Sequence, residues 1–189
     1  RRRMIRFRLK NGTEWQLGAD FFGVLCLSWE LGGAGERAAL ALLMAVLLHE
    51  GGHLLAYLLS GIPLRRVIFD FRGVLIRPEP GFYPFSSELS ALLAGSTVSF
   101  LWAAAAFFLL PPAFWQASLA MGLWSLLPLP GMDGGEVVSL IAGRIWPGCD
   151  HGLRLFFICT RALVTLFIAL GCLALQSPLP LFWAACLWM

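Results

Sequence analysis

Charge is what this sequence has least of. Of its 189 residues, 13% are Asp, Glu, Lys or Arg, where an ordinary soluble domain carries about 25%. Hydrophobic residues make up 59%, and the mean hydropathy is +0.77. So little charged surface does not keep a chain of this size in water. A soluble globular fold, a disordered chain and a nucleic-acid binder are thereby excluded, and an integral membrane protein is implied. Cysteine pairing is also missing. The five cysteines (Cys26, Cys149, Cys159, Cys172, Cys186) form no CxxC pair and no disulfide framework. They read as small buried hydrophobes. There is no internal repeat, no low-complexity tail and no room for an appended soluble domain.

Where charge is absent, helices are expected. No charged residue falls between Leu89 and Met132, a run of 44 residues. Between Ala38 and Leu64 the only formal charge is Glu50, and between Leu155 and Met189 it is Arg161. A helix needs roughly 20 apolar residues to cross the hydrocarbon core. Apolar stretches run from about Leu17 to Leu31, Ala38 to Leu59, Leu89 to Leu110, Ala113 to Gly143 and Leu155 to Leu175, with a shorter one from Leu179 to Met189. Pro111-Pro112 ends the third, since two prolines cannot continue a helix. The fold expected is an all-α polytopic membrane protein of about six transmembrane helices. A small membrane-associated β element is expected between the second and third, from Val67 to Phe71 and Val74 to Arg77, within residues 62–80.

Basic residues set the orientation. Arg1, Arg2, Arg3, Arg6, Arg8 and Lys10 precede the first span, Arg65, Arg66, Arg72 and Arg77 follow the second, and Arg144 and Arg154 follow the fourth. The positive-inside rule puts these segments, and the N-terminus, in the cytoplasm. No small-residue cleavage site follows the first apolar run, so it reads as a permanent span and not a signal peptide. Ile5 to Leu17 alternates apolar and basic residues around Asn11-Gly12, the pattern of a hairpin lying at the membrane surface. The chain thus divides into an interfacial hairpin, 1–16, and a transmembrane core, 17–189. A multi-pass protein of a bacterial cytoplasmic membrane is expected.

The few charges inside apolar stretches carry the chemistry. His49-Glu50-Gly51-Gly52-His53 is an HExxH pattern inside the second stretch, and it holds two of the chain's three histidines. Residues four apart share a helix face. His49 and His53 can therefore hold one metal ion, with Glu50 beside it as the base that activates water. A carboxylate at the centre of a span costs roughly 2.5–3.5 kcal/mol on insertion scales, so such groups are functional by default.

A catalytic zinc site has three protein ligands and one open position. Ala56 and Leu59 stand where the metzincin continuation needs Gly and His, which excludes that continuation. Glu79, Glu88 and Asp133 remain as sources of the third ligand. Asp133 is favoured because it ends the 44-residue uncharged run, within Leu127-Pro128-Leu129-Pro130-Gly131-Met132-Asp133-Gly134-Gly135. His49 and Asp133 each lie about 10 residues before the cytoplasmic end of their stretch, which is roughly 15 Å of helix. Pro128 and Pro130 must interrupt that fourth helix, and irregular backbone at membrane depth is tolerated where it lines a wet cavity.

HEGGH in one span and LLPLPGMDGG in a later one resemble the site-2 protease family of intramembrane zinc metalloproteases. Ala94-Gly95-Ser96-Thr97-Val98-Ser99 resembles that family's AGPxxN stretch. The compact core is most similar to the stage IV sporulation protein FB branch, without its CBS domain. The resemblance implies cleavage of a peptide bond in a membrane-embedded or membrane-adjacent substrate. It implies one zinc ion held by His49, His53 and Asp133, with Glu50 as general base. The sequence departs from the family at three places: Ser96 stands for its Pro, and Ser99 and Ser125 stand for its Asn residues. By the same resemblance Ser99 and Ser125 are substrate-handling positions.

A helix hides its carbonyls, so a substrate has to unwind before attack. The Val67 to Phe71 segment, with Phe69 and Phe71, is expected to hold it extended by edge pairing. The partners implied are a membrane-protein or membrane-associated peptide substrate, a regulatory membrane partner and the lipid bilayer, with no nucleic acid. Two rival readings are a catalytically impaired homologue serving as a membrane scaffold and a metal or solute transporter. Transporters tend to show related halves, and none is visible here.

Overall fold

The computed structural model describes residues 4–8, 12–18, 35–70 and 73–175. Within them the long apolar runs are helical. α1 spans Gly35–Leu59, α2 Phe85–Leu109, α3 Pro112–Ser125, α4 Asp133–Ile145 and α5 Asp150–Leu175. Four strands accompany them: β1 Met4–Arg8, β2 Glu14–Gly18, β3 Leu64–Asp70 and β4 Gly73–Pro78.

The expectation of an all-α protein with about six transmembrane helices is corrected by these elements. Among the described residues there are five helices, and three of them are long and apolar enough to cross a membrane: Arg37–Leu59, Phe85–Leu109 and Asp150–Gly171. The Ala113 to Gly143 stretch is not one span. Pro128 and Pro130 lack the N–H that a helix needs, and the run breaks into α3 and α4, of 14 and 13 residues. Each is shorter than the roughly 20 residues a crossing takes. The stretches expected at Leu17 to Leu31 (beyond Gly18) and Leu179 to Met189 lie outside the described residues.

The N-terminal hairpin and the β element between α1 and α2, expected as separate pieces, are joined. The strands form one sheet in the order β1-β2-β3-β4. β1 and β2 are antiparallel, β2 and β3 parallel, and β3 and β4 antiparallel. The N-terminal strands and the loop between α1 and α2 thus belong to a single sheet. Glu14 bridges Arg66 across the parallel pair at 3.1 Å. The Gln16 amide foremost, and Arg66 after it, hold the Glu14 carboxyl below the usual carboxylate range.

The chain divides into two compact units, Arg1–Ser125 and Leu126–Met189. The first is built on small residues. α1 buries Ala41, Ala45, His49, Gly52, His53 and Tyr57 along one face. α2 buries Ala91, Gly95, Ser96, Ser99, Ala103 and Ala106, and α3 buries Phe114, Ser118, Gly122 and Ser125. Lipid tails are as apolar as leucine, so helices in a membrane associate by close packing of small side chains. This explains why so few large residues are buried. The second unit holds α4 and α5. α5 exposes Leu155, Ile158, Leu163, Leu166, Phe167 and Leu170, as a lipid-facing helix does. Cys149 and Cys159 are exposed as well, which corrects the expectation that they are buried; both sit on or beside this outward-facing helix.

Candidate metal centre

α1 places His49 and His53 one turn apart on its buried face, 2% and 7% exposed. Their ring nitrogens divide into two sets. Each Nδ1 is engaged by α2: His49 Nδ1 lies 3.0 Å from Ser99 Oγ, and His53 Nδ1 lies 2.8 Å from the Ala91 carbonyl oxygen. A carbonyl only accepts, so His53 Nδ1 is the donor in that bond. The proton is thereby fixed on Nδ1, and in the neutral ring Nε2 presents a lone pair. The two Nε2 atoms face each other at 3.2 Å.

That separation tests whether a metal fits. Zinc takes histidine nitrogens at about 2.0–2.1 Å in tetrahedral geometry, which puts two such nitrogens about 3.3 Å apart. The Nε2 pair meets this requirement with no movement of α1. The rings are held edge to face, with centroids 4.9 Å apart.

α2 is shaped for these rings. A Cβ at Gly95 would strike the His53 ring at Nε2. Gly52 matters for a related reason: a Cβ there would come within 2.8 Å of the Ala94 carbonyl oxygen and 2.9 Å of a Val98 methyl. It sets the approach of α1 to α2. Gly51 instead faces open space, beside Glu50, which is half-buried.

The remaining expected residues are distributed as follows. Ser125, at the end of α3, is buried and bonds Ser96 Oγ of α2 at 2.8 Å while donating to the Gly122 carbonyl at 3.1 Å. Two of the three serines noted in the sequence, Ser96 and Ser125, therefore pair with each other, and the third, Ser99, meets His49. Phe69 is half-buried in β3 and stacks on Trp15 of β2 at 5.8 Å. The edge-pairing role given to its strand is corrected: β3 is an interior strand with β2 on one side and β4 on the other. Its backbone groups are already used. Phe71 lies outside the described residues. Glu79 is exposed and Glu88 is half-buried.

Asp133 belongs to the second unit and opens α4, half-buried. The segment before it is compact and irregular. Leu129 is buried, and its N–H bonds the Leu127 carbonyl at 2.7 Å. α4 folds back onto this segment so tightly that a Cβ at Gly134 would strike the Leu126 carbonyl oxygen, and one at Gly135 the Leu129 carbonyl oxygen. Only glycine lets the helix begin there, which explains the Gly-Gly after Asp133. Glu136, one turn on, is exposed. Thr160 of α5 donates its hydroxyl to the Pro128 carbonyl at 3.0 Å. That anchor was not legible in the sequence, because a threonine in an apolar run looks like any other small residue. The Ala91 carbonyl carried no signal either, since a backbone oxygen is present whatever the residue.

No protein-family profile matches the chain. It is 28% identical over 196 residues to a Synechocystis protein named "Putative zinc metalloprotease", covering 95% of this chain and 47% of that protein. The chain thus spans about half the length of the curated relative it matches. Its fold is that of the site-2 protease from Methanocaldococcus jannaschii, with a TM-score of 0.69 at 18% identity, over 98% of this chain and 92% of the other.

Proposed function

We propose that this chain is an intramembrane zinc metalloprotease of the site-2 protease type, nearest the stage IV sporulation protein FB branch, and that it cleaves membrane-embedded or membrane-adjacent peptides in regulated intramembrane proteolysis. The observation that carries the reading is the His49–His53 pair, with Nε2 atoms at zinc-ligand separation and both Nδ1 sides engaged. The relative named for a zinc metalloprotease and the shared fold support it. His49, His53 and Asp133 each offer one ligand atom of a kind zinc accepts, and a single ion held by these three leaves a fourth position open. When bound, zinc supplies a Lewis acid that polarises the scissile carbonyl and acidifies water.

The chain's own groups do the rest. Glu50 accepts the proton of the attacking water on a carboxylate oxygen. It returns that proton to the amine nitrogen as the C–N bond breaks. The Ser99 hydroxyl and the Ala91 carbonyl hold the imidazoles in register, and partners of this kind orient metal ligands and sharpen their basicity. The Ser96–Ser125 bond ties α2 to α3. β4 is the strand in this part of the sheet with an unpaired edge among the described residues. An unwound substrate segment gains backbone hydrogen bonds by adding to that edge. The N-terminus lies in the cytoplasm of a bacterial membrane, and a regulatory membrane partner controls access.

The test is cleavage of a single-pass membrane substrate by the full chain in nanodiscs. Activity is expected to vanish with a zinc chelator and to return with added zinc. Cleavage that persists after zinc is stripped would overturn the reading.

A further inference from the structure

The sheet has two chemically different faces. Successive side chains on a strand point to opposite sides. The strand registers put Ile5, Phe7, Trp15, Leu17, Val67, Phe69, Val74 and Ile76 on one face. Every one of these is apolar. On the other face, one rung runs straight across all four strands as Arg8, Glu14, Arg66, Arg77, and the next rung is Arg6, the buried Gln16, Ile68 and Leu75, so the charge is gathered on one rung and at the Arg6 corner. Glu14 is matched by Arg66. Arg6, Arg8 and Arg77 are exposed; Arg6 acts on Glu14 at longer range, and the ion pair of the rung is Arg66–Glu14. Arg66 and Arg77 are direct cross-strand neighbours, like charges that repel; Glu14 offsets the Arg66 charge, and the rung as a whole keeps an excess of positive charge.

The position of the rung says which anion. α1 ends at Leu59 and β3 begins at Leu64; β4 ends at Pro78 and α2 begins at Phe85. The Glu79 N–H bonds the Pro63 carbonyl at 2.8 Å and so fastens the two connections together. The Arg66–Arg77 pair therefore stands within a few residues of the ends of two helices able to cross a membrane. That is headgroup depth. The apolar face points the other way. Its inner part is packed, Val67 being 2% exposed, but its outer strand is bare, with Ile5 68% and Phe7 48% exposed. An element with one bare apolar face and one basic face at this depth has the chemistry of an interfacial anchor.

We propose that the sheet is an anionic-lipid docking surface: Ile5 and Phe7 enter the acyl boundary, and Arg6, Arg8 and Arg77 bind phospholipid headgroup phosphates. The bilayer leaflet at the α1 C-terminus is the partner. This holds whether or not the chain is a protease, because it uses no residue of the metal centre.

The experiment is lipid retention by the full chain. The protein is incorporated into mixed phosphatidylcholine–phosphatidylglycerol nanodiscs, released in mild detergent, and its bound lipids are quantified. The wild-type chain is expected to enrich phosphatidylglycerol about tenfold over the bulk ratio. Arg8→Gln/Arg77→Gln is expected to bring this within about twofold of bulk, while the charge-matched Arg144→Gln/Arg154→Gln keeps most of the enrichment. Glu14→Gln removes the one acid of the rung without removing an arginine, and it is expected to raise the enrichment. It serves as the test if the double variant does not fold. Inorganic phosphate is expected to compete no better than chloride at equal ionic strength. The proposal is overturned if Arg8→Gln/Arg77→Gln retains wild-type selectivity or if the charge-matched control loses as much. It is also overturned if Glu14→Gln leaves selectivity unchanged, or if phosphate competes better than chloride, which would assign the rung to a free anion.

Discussion

The imidazoles of His49 and His53 turn their Nε2 atoms toward each other, 3.2 Å apart, while their Nδ1 atoms meet a hydroxyl and a carbonyl of α2. α1 alone sets only that both rings share a face. The Ala91 carbonyl of α2 chooses the tautomer of His53, and the two contacts from α2 set the ring rotations that turn the Nε2 atoms toward each other.

The bond to Ser99 is the one that substitution can remove. Ser99→Ala is expected to weaken zinc affinity about 10–100-fold, the usual cost of losing a partner of a metal-bound histidine. Ser99→Thr keeps the hydroxyl and is expected to retain most of it. Competition against a chelating dye measures both.

Gly95 leaves room for the His53 ring, so Gly95→Ala forces a methyl into Nε2. Overpacking of this kind costs about 1–3 kcal/mol, and the ring has to swing away from His49 to relieve it. Zinc content after purification is expected to fall well below that of the wild type, together with the thermal midpoint. Gly51→Ala faces open space and is expected to leave zinc content unchanged.

In the second unit, Thr160 ties α5 to the Pro128 carbonyl. Thr160→Val keeps the shape and removes the donor, a change worth about 0.5–1.5 kcal/mol in a net hydrogen bond. Because the freed carbonyl belongs to the segment that leads into Asp133, kcat is expected to fall while KM stays near its wild-type value. Thr160→Ser is expected to restore kcat, and equal loss in both variants would show that only packing is at stake.

β4 pairs with β3 along one side, so of the adjacent residues Leu75 and Ile76 one turns its N–H to β3 and the other to the edge that no described strand covers. Proline at the outward position is expected to reduce substrate cleavage with zinc still bound. Proline at the inward position is expected to break the ladder and destabilise the sheet. Unchanged cleavage in the outward variant would show that substrate does not add to the β4 edge.

What the sequence made legible follows from how local each signal was. Scarce charge marked the apolar helices, and the four-residue spacing of the histidines put both on one face of α1, because both signals are confined to a single element. The break at Pro128 and Pro130 was visible too, but its consequence was misjudged: each piece of the run is too short to cross a membrane, and span counting still took the interrupted stretch as one span. The sheet was only half legible. Hairpin patterns at both of its ends could be read, yet the parallel pairing of Glu14–Gly18 with Leu64–Asp70 joins strands separated by all of α1. Alternation within a strand does not name its distant neighbour. For the same reason β3 could be recognised as a strand but not as an interior one.

The central claim is that Glu50 moves the proton in a metal-dependent peptide cleavage. The most direct measurement is the single-turnover cleavage rate of a membrane substrate by zinc-loaded Glu50→Gln beside the wild type, with zinc content determined on the same samples. The account predicts full zinc occupancy and a rate lower by at least about 10²-fold, the lower end of what a positioned general base contributes. Cleavage by Glu50→Gln at the wild-type rate would contradict it.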